Sequence, residues 1–174
     1  MNTSKIDESP SIKYKRVTSV KRVKYDTPQV VYDVTNLDGH ESFALGCGAI
    51  VHNCRSARHS GFQELLPLKG KISNCVVAGT LVLRADGTSR PIESLDSEWL
   101  GSAFDVETKT RTNDVISPMF LSGSVTETLT LTFEDGHELE CTPEHQLLTQ
   151  RGYVAAKDLL DSDDVVTIYD AKSA

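Results

Sequence analysis

The sequence lacks any long hydrophobic run. Its apolar stretches, such as Ala49–Val51 and Val76–Ala78, are far shorter than the run of about 20 residues that a membrane-spanning helix needs. The first ten residues are polar and charged rather than a signal sequence. A chain of 174 residues with 39% hydrophobic content is long enough to bury one core. We therefore expect a single soluble domain that binds no membrane.

Closely paired cysteines are also missing. The chain has four cysteines, at Cys47, Cys54, Cys75 and Cys141. Their spacing does not match a tetrahedral zinc site, so no metal centre is predicted. A disulfide bond between two of them is an alternative. Two of them directly follow an asparagine, at the dipeptides Asn53-Cys54 and Asn74-Cys75.

Helical periodicity is scarce, and it is limited to Pro91–Leu100 and Val154–Leu160. Strand-like runs dominate the rest of the chain. Three Asp-Gly pairs, at Asp38-Gly39, Asp86-Gly87 and Asp135-Gly136, lie between such runs. An Asp-Gly pair between alternating segments predicts a tight hairpin. The expected fold class is all-β, with a few short helices.

Residues 54–74 interrupt this pattern. They lack alternation and contain two glycines and one proline. Such a composition is typical of a linker or an exposed loop. We also expect the chain ends, residues 1–11 and 170–174, to be frayed.

Charge is distributed unevenly between the segments. Residues 1–53 carry 7 basic and 6 acidic residues, residues 54–74 carry 4 and 1, and residues 75–174 carry 7 and 18. The basic residues of the first segment cluster at Lys13, Lys15, Arg16, Lys21, Arg22 and Lys24. This cluster is compatible with a nucleic-acid patch. Because an acidic partner lies in the same chain, we favour association of residues 1–53 with residues 75–174 and expect no nucleic acid.

The first junction carries a histidine, an asparagine and a thiol in succession, at His52, Asn53 and Cys54. An asparagine amide can attack its own backbone carbonyl, which closes an imide and breaks the following peptide bond. Imidazole groups that transfer protons accelerate such a step roughly 10²- to 10⁴-fold. His52 is adjacent and His40 lies upstream. The structural alternative is that His52 ends a strand and Asn53 occupies a turn.

The second junction has a thiol, Cys75, next to the carbonyl of Asn74. Attack of the thiol on that carbonyl would convert the amide into a thioester, provided that fixed groups stabilise the developing oxyanion. Thr142 and His145 offer a hydroxyl and an imidazole three residues apart. Their alternative role is a capped turn that follows a strand.

Together these segments resemble the intein family of protein-splicing elements. Residues 75–95 resemble the amino-terminal block, with a leading nucleophile, a Gly-Thr pair and a strand. Residues 142–166 resemble the second block, with its Thr-x-x-His motif, and residues 31–54 resemble the two carboxy-terminal blocks. The resemblance implies the horseshoe-like, mostly β Hint fold that inteins share with hedgehog autoprocessing domains.

The resemblance also implies roles for individual residues. Cys75 corresponds to the first nucleophile and Cys54 to the second, while His52 and Asn53 correspond to the penultimate and terminal residues. Thr142 and His145 match the groups that strain and polarise the Asn74-Cys75 bond, and Asp33 and His40 match the groups that assist later proton transfers. Cys47 and Cys141 match no required role and are expected to pack. No cofactor is implied.

The order of the blocks departs from the family, because the ending precedes the beginning. Residues 1–53 resemble the C-terminal fragment of a split intein and residues 75–174 the N-terminal fragment, with residues 54–74 in the place of an extein. No dodecapeptide endonuclease motif is evident. This circularly permuted arrangement predicts that residues 54–74 are excised as a cyclic peptide by a single-turnover autocatalyst rather than a turnover enzyme.

Three alternatives remain open. The junctions could cleave without ligation; the two halves could associate only as a binding module that residues 54–74 tether; or the halves could derive from different inteins and never act on each other. Because a Cys54-Cys75 disulfide would occupy both nucleophiles, we expect a reducing, cytoplasm-like environment. We also expect a monomer.

Overall fold

A computed structural model describes residues 12–36, 42–52, 75–95 and 99–168, without the side chains of residues 35–36 and 117–123. The described chain is mostly β-strand, so the predicted all-β class is confirmed. The strands are β1 (Ile12–Asn36), β2 (Ser42–Ala44), β3 (Ile50–His52), β4 (Val76–Val77), β5 (Leu81–Leu83), β6 (Ser89–Pro91), β7 (Trp99–Asp105), β8 (Thr110–Phe133), β9 (Glu138–Cys141), β10 (Gln146–Thr149), β11 (Gly152–Ala155) and β12 (Asp164–Ile168).

Two long antiparallel strands, β1 and β8, form the longest strand pair of the fold. They pair from Val17 opposite Phe133 to Asn36 opposite Ile116, with register shifts that bend the ladder. The start of β1 continues beyond β8 and pairs with β12. Residues 31 and 32 of β1 also pair with β4 on the other edge. A single strand thus contacts three others, because bulges let it turn from one partner to the next.

One ten-stranded sheet joins the two segments that flank residues 54–74. Its order is β2-β3-β10-β12-β1-β4-β9-β8-β7, with β11 paired to β10, and β5 and β6 form a separate two-stranded sheet. The buried core is likewise built from both segments. Its largest cluster includes Val34, Phe43 and Val51 from the first segment and Val76, Leu131 and Leu147 from the second. The described residues before residue 53 therefore share one sheet and one core with the described residues from Cys75 to Ile168.

The basic residues of β1 make ion pairs with the acidic segment. Arg16 pairs with Asp164 at 3.2 Å, and Arg22 pairs with Glu127. Both pairs are exposed, so each contributes less than about 1 kcal/mol to stability. They show that the register of β1 places its basic side chains next to acidic side chains of the strands with which it pairs.

Lys15 makes a buried ion pair with the second segment. Its side chain is only 6% exposed, its ammonium pairs with Asp135, and it donates a hydrogen bond to the Cys47 carbonyl oxygen at 2.8 Å. Burial favours the neutral carboxyl of Asp135, but hydrogen bonds from Lys15 and His137 outweigh it and lower the pKa of Asp135 to about 2. Removing one partner of a buried pair leaves a desolvated charge, so this contact specifies the docking of β1 more strongly than the exposed pairs do.

Two of the three predicted Asp-Gly hairpins are confirmed. Asp86-Gly87 connects β5 to β6, and Asp135-Gly136 connects β8 to β9. Both glycines have a φ near +90°, which other residues rarely adopt, and each aspartate accepts a hydrogen bond from the backbone amide two residues later. The prediction for Asp38-Gly39 was wrong in its pairing, because the flanking strands β1 and β2 are not neighbours in the sheet. The dipeptide itself lies outside the described residues.

The predicted helices are shorter than their sequence patterns indicated. Each contains a single 3-10 turn, at Ile92–Ser94 and at Ala156–Asp158. The rest of Val154–Leu160 begins as strand β11, and residues 99–100 belong to β7, so those parts of the prediction were wrong. Within the described ranges no helix has the length and apolar character needed to cross a membrane. The linker at 54–74 and the expected frayed ends lie outside the described residues.

An arginine clamp closes the loop between β11 and β12. The Asp163 carboxylate accepts two hydrogen bonds from Arg151, at 2.8 and 2.9 Å, and one from the Leu160 backbone amide at 2.9 Å. Asp163 is 1% exposed. These hydrogen bonds, chiefly the one from Arg151, lower the pKa of Asp163 from 3.8 to about 2.

Replacing Asp163 with asparagine is expected to destabilise the fold by roughly 2 kcal/mol at pH 7. A carboxyl group with a lowered folded-state pKa contributes its full stability above its unfolded pKa, near 4, and loses it as the pH falls toward about 2. The wild-type chain and Asp163→Asn should therefore converge in acid. Urea unfolding at pH 7 and at pH 2 measures both values. Equal stability at pH 7 would contradict the role of this clamp.

Candidate functional site

Cys75 lies directly before β4 and is fully buried. Its backbone amide donates a hydrogen bond to the Thr142 hydroxyl oxygen at 3.2 Å. Its carbonyl oxygen accepts hydrogen bonds from the Thr142 backbone amide at 2.9 Å and from the Thr142 hydroxyl at 3.3 Å. Thr142 follows β9, which pairs with β4 at Val76 opposite Cys141. A single threonine thus fixes both backbone polar groups of the candidate nucleophile.

His145 completes the turn that begins at Thr142. Its backbone amide donates to the Thr142 carbonyl oxygen at 3.0 Å, and its own carbonyl oxygen accepts from the Ala156 amide at 2.8 Å. The side chain is fully buried. Because the turn connects β9 to β10 and the 3-10 turn at Ala156–Asp158 packs on it, the position of His145 is fixed from both sides.

Asp33 lies on the other side of Cys75 in the sheet. Strand β1 pairs with β4 at Val31 opposite Val77 and at Tyr32 opposite Val76; Asp33 follows Tyr32, and Cys75 precedes Val76. Asp33 is buried, and one of its carboxylate oxygens accepts a hydrogen bond from the Val34 amide at 2.8 Å. Asp33 thus lies one residue beyond the pairs of β1 with β4, and Cys75 lies directly before β4. Thr142 follows β9, which pairs with the opposite side of β4.

His52 is the last residue of β3. This strand pairs with β10 at Val51 opposite Leu147, so the next position of the register brings His52 opposite Gln146, the residue that follows His145. His52 is 8% exposed. The chain therefore leaves β3 beside the turn that holds His145.

Five of the eight predicted catalytic residues lie in neighbouring elements around the turn from Thr142 to His145. Thr142 is hydrogen-bonded to Cys75, and β10, which follows His145, pairs with β3, which ends at His52. These five are Asp33, His52, Cys75, Thr142 and His145. The remaining predicted site residues, His40, Asn53, Cys54 and Asn74, lie outside the described residues. Water is largely excluded from such a buried region, and fixed dipoles and charges act more strongly there than in solvent.

The two cysteines without a predicted role lie in the core or against it. Cys141 is fully buried, and burial raises its pKa far above the ordinary thiol value. Cys47 packs against the same core, and burial raises its pKa as well. Both are free thiols. A raised thiol pKa disfavours the thiolate, which is the reactive form of cysteine. Among the described residues no cluster of His, Cys, Asp and Glu could hold a metal ion.

Two contacts of the region are not predicted by the sequence. The rings of Tyr153 and His52 meet edge to face, with centroids 4.9 Å apart and an interplanar angle of 88°. Ser42, which pairs with His52 across β2 and β3, donates to the Phe104 carbonyl oxygen at 2.6 Å and accepts from the Phe104 amide at 3.2 Å. Both contacts join residues far apart in sequence, so no local pattern identifies them.

The fold and the region around Cys75 define an all-β protein with a buried Cys-Thr-His arrangement, and comparison adds one similarity. Over 110 residues the chain is 31% identical to the ribonucleoside-diphosphate reductase large subunit of Invertebrate iridescent virus 6. The similarity covers 60% of this chain, and the chain spans one tenth of the length of that relative. No model of a known protein family matches the chain.

Proposed function

We propose that the chain is an autocatalytic protein-splicing element of the intein family, with the Hint fold and with its two halves in reversed order. Its reaction excises residues 54–74 as a cyclic peptide. The chain reacts once on itself, so it is a single-turnover autocatalyst. It needs no cofactor, because every reacting group belongs to the chain.

One observation carries this proposal. The described residues on the two sides of residues 54–74 share a sheet and a core. His52, the last described residue before them, lies beside the turn that holds Cys75, the first described residue after them. Proximity of two reacting junctions supplies effective molarities on the order of 10⁵ M or more when the geometry is right. The ion pairs of Lys15, Arg16 and Arg22 with the acidic segment favour the same association.

The first step forms a thioester at the second junction. The Cys75 thiol loses its proton, and its sulfur bonds to the Asn74 carbonyl carbon. The bond from that carbon to the Cys75 nitrogen breaks, and the nitrogen leaves as an amine that gains a proton. Thr142 holds that nitrogen through the 3.2 Å hydrogen bond and holds the Cys75 carbonyl at the same time. His145, in the same turn, is the proposed proton donor to the amine.

The second step closes the ring. The Cys54 thiol attacks the thioester at Asn74 and displaces the Cys75 thiol, which joins both ends of residues 54–74 and releases residues 75–174.

The Asn53 amide nitrogen then attacks the Asn53 carbonyl carbon, forms a succinimide and frees the Cys54 amine, with His52 and Asp33 as the proposed proton-transfer groups. A sulfur-to-nitrogen acyl shift converts the ring thioester into an amide.

The similarity to the viral reductase subunit is compatible with this proposal. A splicing element that lies within a larger host protein would produce a match that covers most of the element and only a small part of the host. The match covers 60% of this chain and 10% of the reductase subunit. Nothing in this proportion requires reductase activity in the chain.

Intact mass spectrometry tests the proposal. The purified chain is incubated with a reducing agent beside a matched Cys75→Ala, Asn53→Ala double variant. We expect a species one water lighter than linear residues 54–74, together with residues 1–53 carrying a terminal succinimide and residues 75–174. The double variant should keep its full-length mass.

Each other outcome points to a different function. Linear residues 54–74 without the ring would mean cleavage without ligation and would refute the last steps. A full-length mass that never changes would refute splicing and leave two associated halves joined by a tether.

A further inference from the structure

His52 lies at the end of a short strand whose backbone is paired on both sides. Strand β3 has only three residues, and it pairs with β2 on one side and with β10 on the other. Backbone pairing sets the position of the Cα atom, and the contacts of the side chain set the orientation of the imidazole. A ring that transfers protons must be held more closely than backbone pairing alone can hold it, since a displacement of about 1 Å can reduce a rate about 10²-fold.

Tyr153 lies in a hydrogen-bonded hairpin, and one strand of that hairpin pairs with β3. It belongs to β11, which forms a four-pair hairpin with β10, and it lies opposite Leu148. The hairpin is closed by a hydrogen bond from the Thr149 hydroxyl to the Gly152 carbonyl oxygen at 2.7 Å. Because β10 also carries the pairing partner of β3, β10 positions both Tyr153 and His52.

The two rings meet in a preferred geometry. Their centroid distance of 4.9 Å and interplanar angle of 88° fall within the edge-to-face range of aromatic pairs. His52 is buried, so its ring has little space in which to rotate. The backbone of Cys75 is hydrogen-bonded to Thr142, whereas the Tyr153 ring meets the ring of His52. The ring contact therefore bears on the His52 end of the site and not on the Cys75 end.

We propose that Tyr153 is a positioning residue that orients the His52 imidazole for cleavage of the Asn53-Cys54 bond, and that it has no part in thioester formation at Cys75. This inference rests on the proposed splicing function. It predicts that loss of the tyrosine ring slows one of the two cleavages selectively, whereas general destabilisation of the fold would slow both.

The experiment measures the two cleavages separately. Cleavage at residues 53–54 is followed by mass spectrometry in a Cys75→Ala background, and cleavage at residues 74–75 is followed in an Asn53→Ala background with added dithiothreitol. Tyr153→Leu should slow the first at least about 10-fold and leave the second within about 2-fold. The matched Tyr153→Phe variant keeps the ring and should restore the first rate. Tyr14→Leu, at an exposed tyrosine, is the control for a general effect of the substitution.

A second measurement is independent of the reaction. In the unreactive Cys75→Ala, Asn53→Ala chain, the ring protons of His52 should show a ring-current shift in the NMR spectrum that Tyr153→Leu removes and Tyr153→Phe keeps. Equal slowing of both cleavages, slow cleavage in Tyr153→Phe, or an unchanged rate despite a lost ring-current shift would each overturn the positioning role. An unsubstituted chain that cleaves at neither junction would instead refute the splicing function and, with it, this inference.

Discussion

Replacing Cys75 with alanine alone is expected to abolish the cyclic product made from the 21 residues 54–74 and all thiol-induced cleavage after Asn74. Without the thiol there is no acceptor for the acyl group, so no thioester forms. The fold should persist, because the hydrogen bonds between Cys75 and Thr142 use only the backbone of Cys75. Cleavage at residues 53–54 should continue, and mass spectrometry should then find residues 1–53 and 54–174.

The matched control for this substitution is Cys47→Ala. Cys47 contributes its carbonyl oxygen to the hydrogen bond with Lys15, and alanine keeps that oxygen. The control should therefore still release the ring. A cyclic product from Cys75→Ala, or its loss in Cys47→Ala alone, would show that the nucleophile has been assigned to the wrong cysteine.

The sequence predicts a hairpin correctly where the interactions that form its turn are local. At Asp86-Gly87 and Asp135-Gly136 the aspartate hydrogen bonds and the positive φ of glycine all lie within five residues, so the sequence alone predicts the turn. Near Asp38-Gly39 the flanking strands find distant partners instead. Strand β1 pairs with β12, β4 and β8, and β2 pairs with β3. Tertiary pairing overrides the local pattern there.

The long ladder of β1 and β8 was harder to predict. The start of β1 is rich in basic residues, a pattern that predicts a charge cluster more directly than a strand. Strand β8 contains Pro118 and Gly123, which ordinarily interrupt strands. Register shifts in the ladder accommodate such irregularities, and a shift is a property of the pair of strands rather than of either sequence.

For the candidate site, the sequence predicted which residues carry reactive groups but not how they are held. Cys75, Thr142 and His145 were singled out because their functional groups suit acyl transfer, and the structure adds the hydrogen bonds between Cys75 and Thr142. The contact of Tyr153 with His52 links the two segments on either side of residues 54–74. Such a contact exists only after the sheet has formed, so it has no sequence signature of its own.

His145 gives the second large expected effect. Replacing it with glutamine should slow thiol-induced cleavage after Asn74 by roughly 10²- to 10⁴-fold, the usual contribution of a positioned proton-transfer group. Glutamine has nearly the volume of histidine and keeps hydrogen-bonding groups, but it does not exchange a proton near neutral pH. A smaller residue at this fully buried position would leave a cavity, so the glutamine variant separates loss of chemistry from loss of packing. The rate is measured in the Asn53→Ala background with dithiothreitol, and circular dichroism verifies the fold.

His137→Gln is the matched control, because His137 is a half-exposed histidine on the β8–β9 turn that contacts Asp135 rather than Thr142. It should cleave at the wild-type rate. If His145→Gln folds and reacts within about 3-fold of the parent, then proton donation by His145 is not part of the first step, since a general acid contributes at least about 10²-fold. Burial of Cys75 and its hydrogen bonds to Thr142 would then have to activate the amide without an acid. If His137→Gln is equally slow, the effect comes from the docking of Lys15 and Asp135 and not from the turn that holds Cys75.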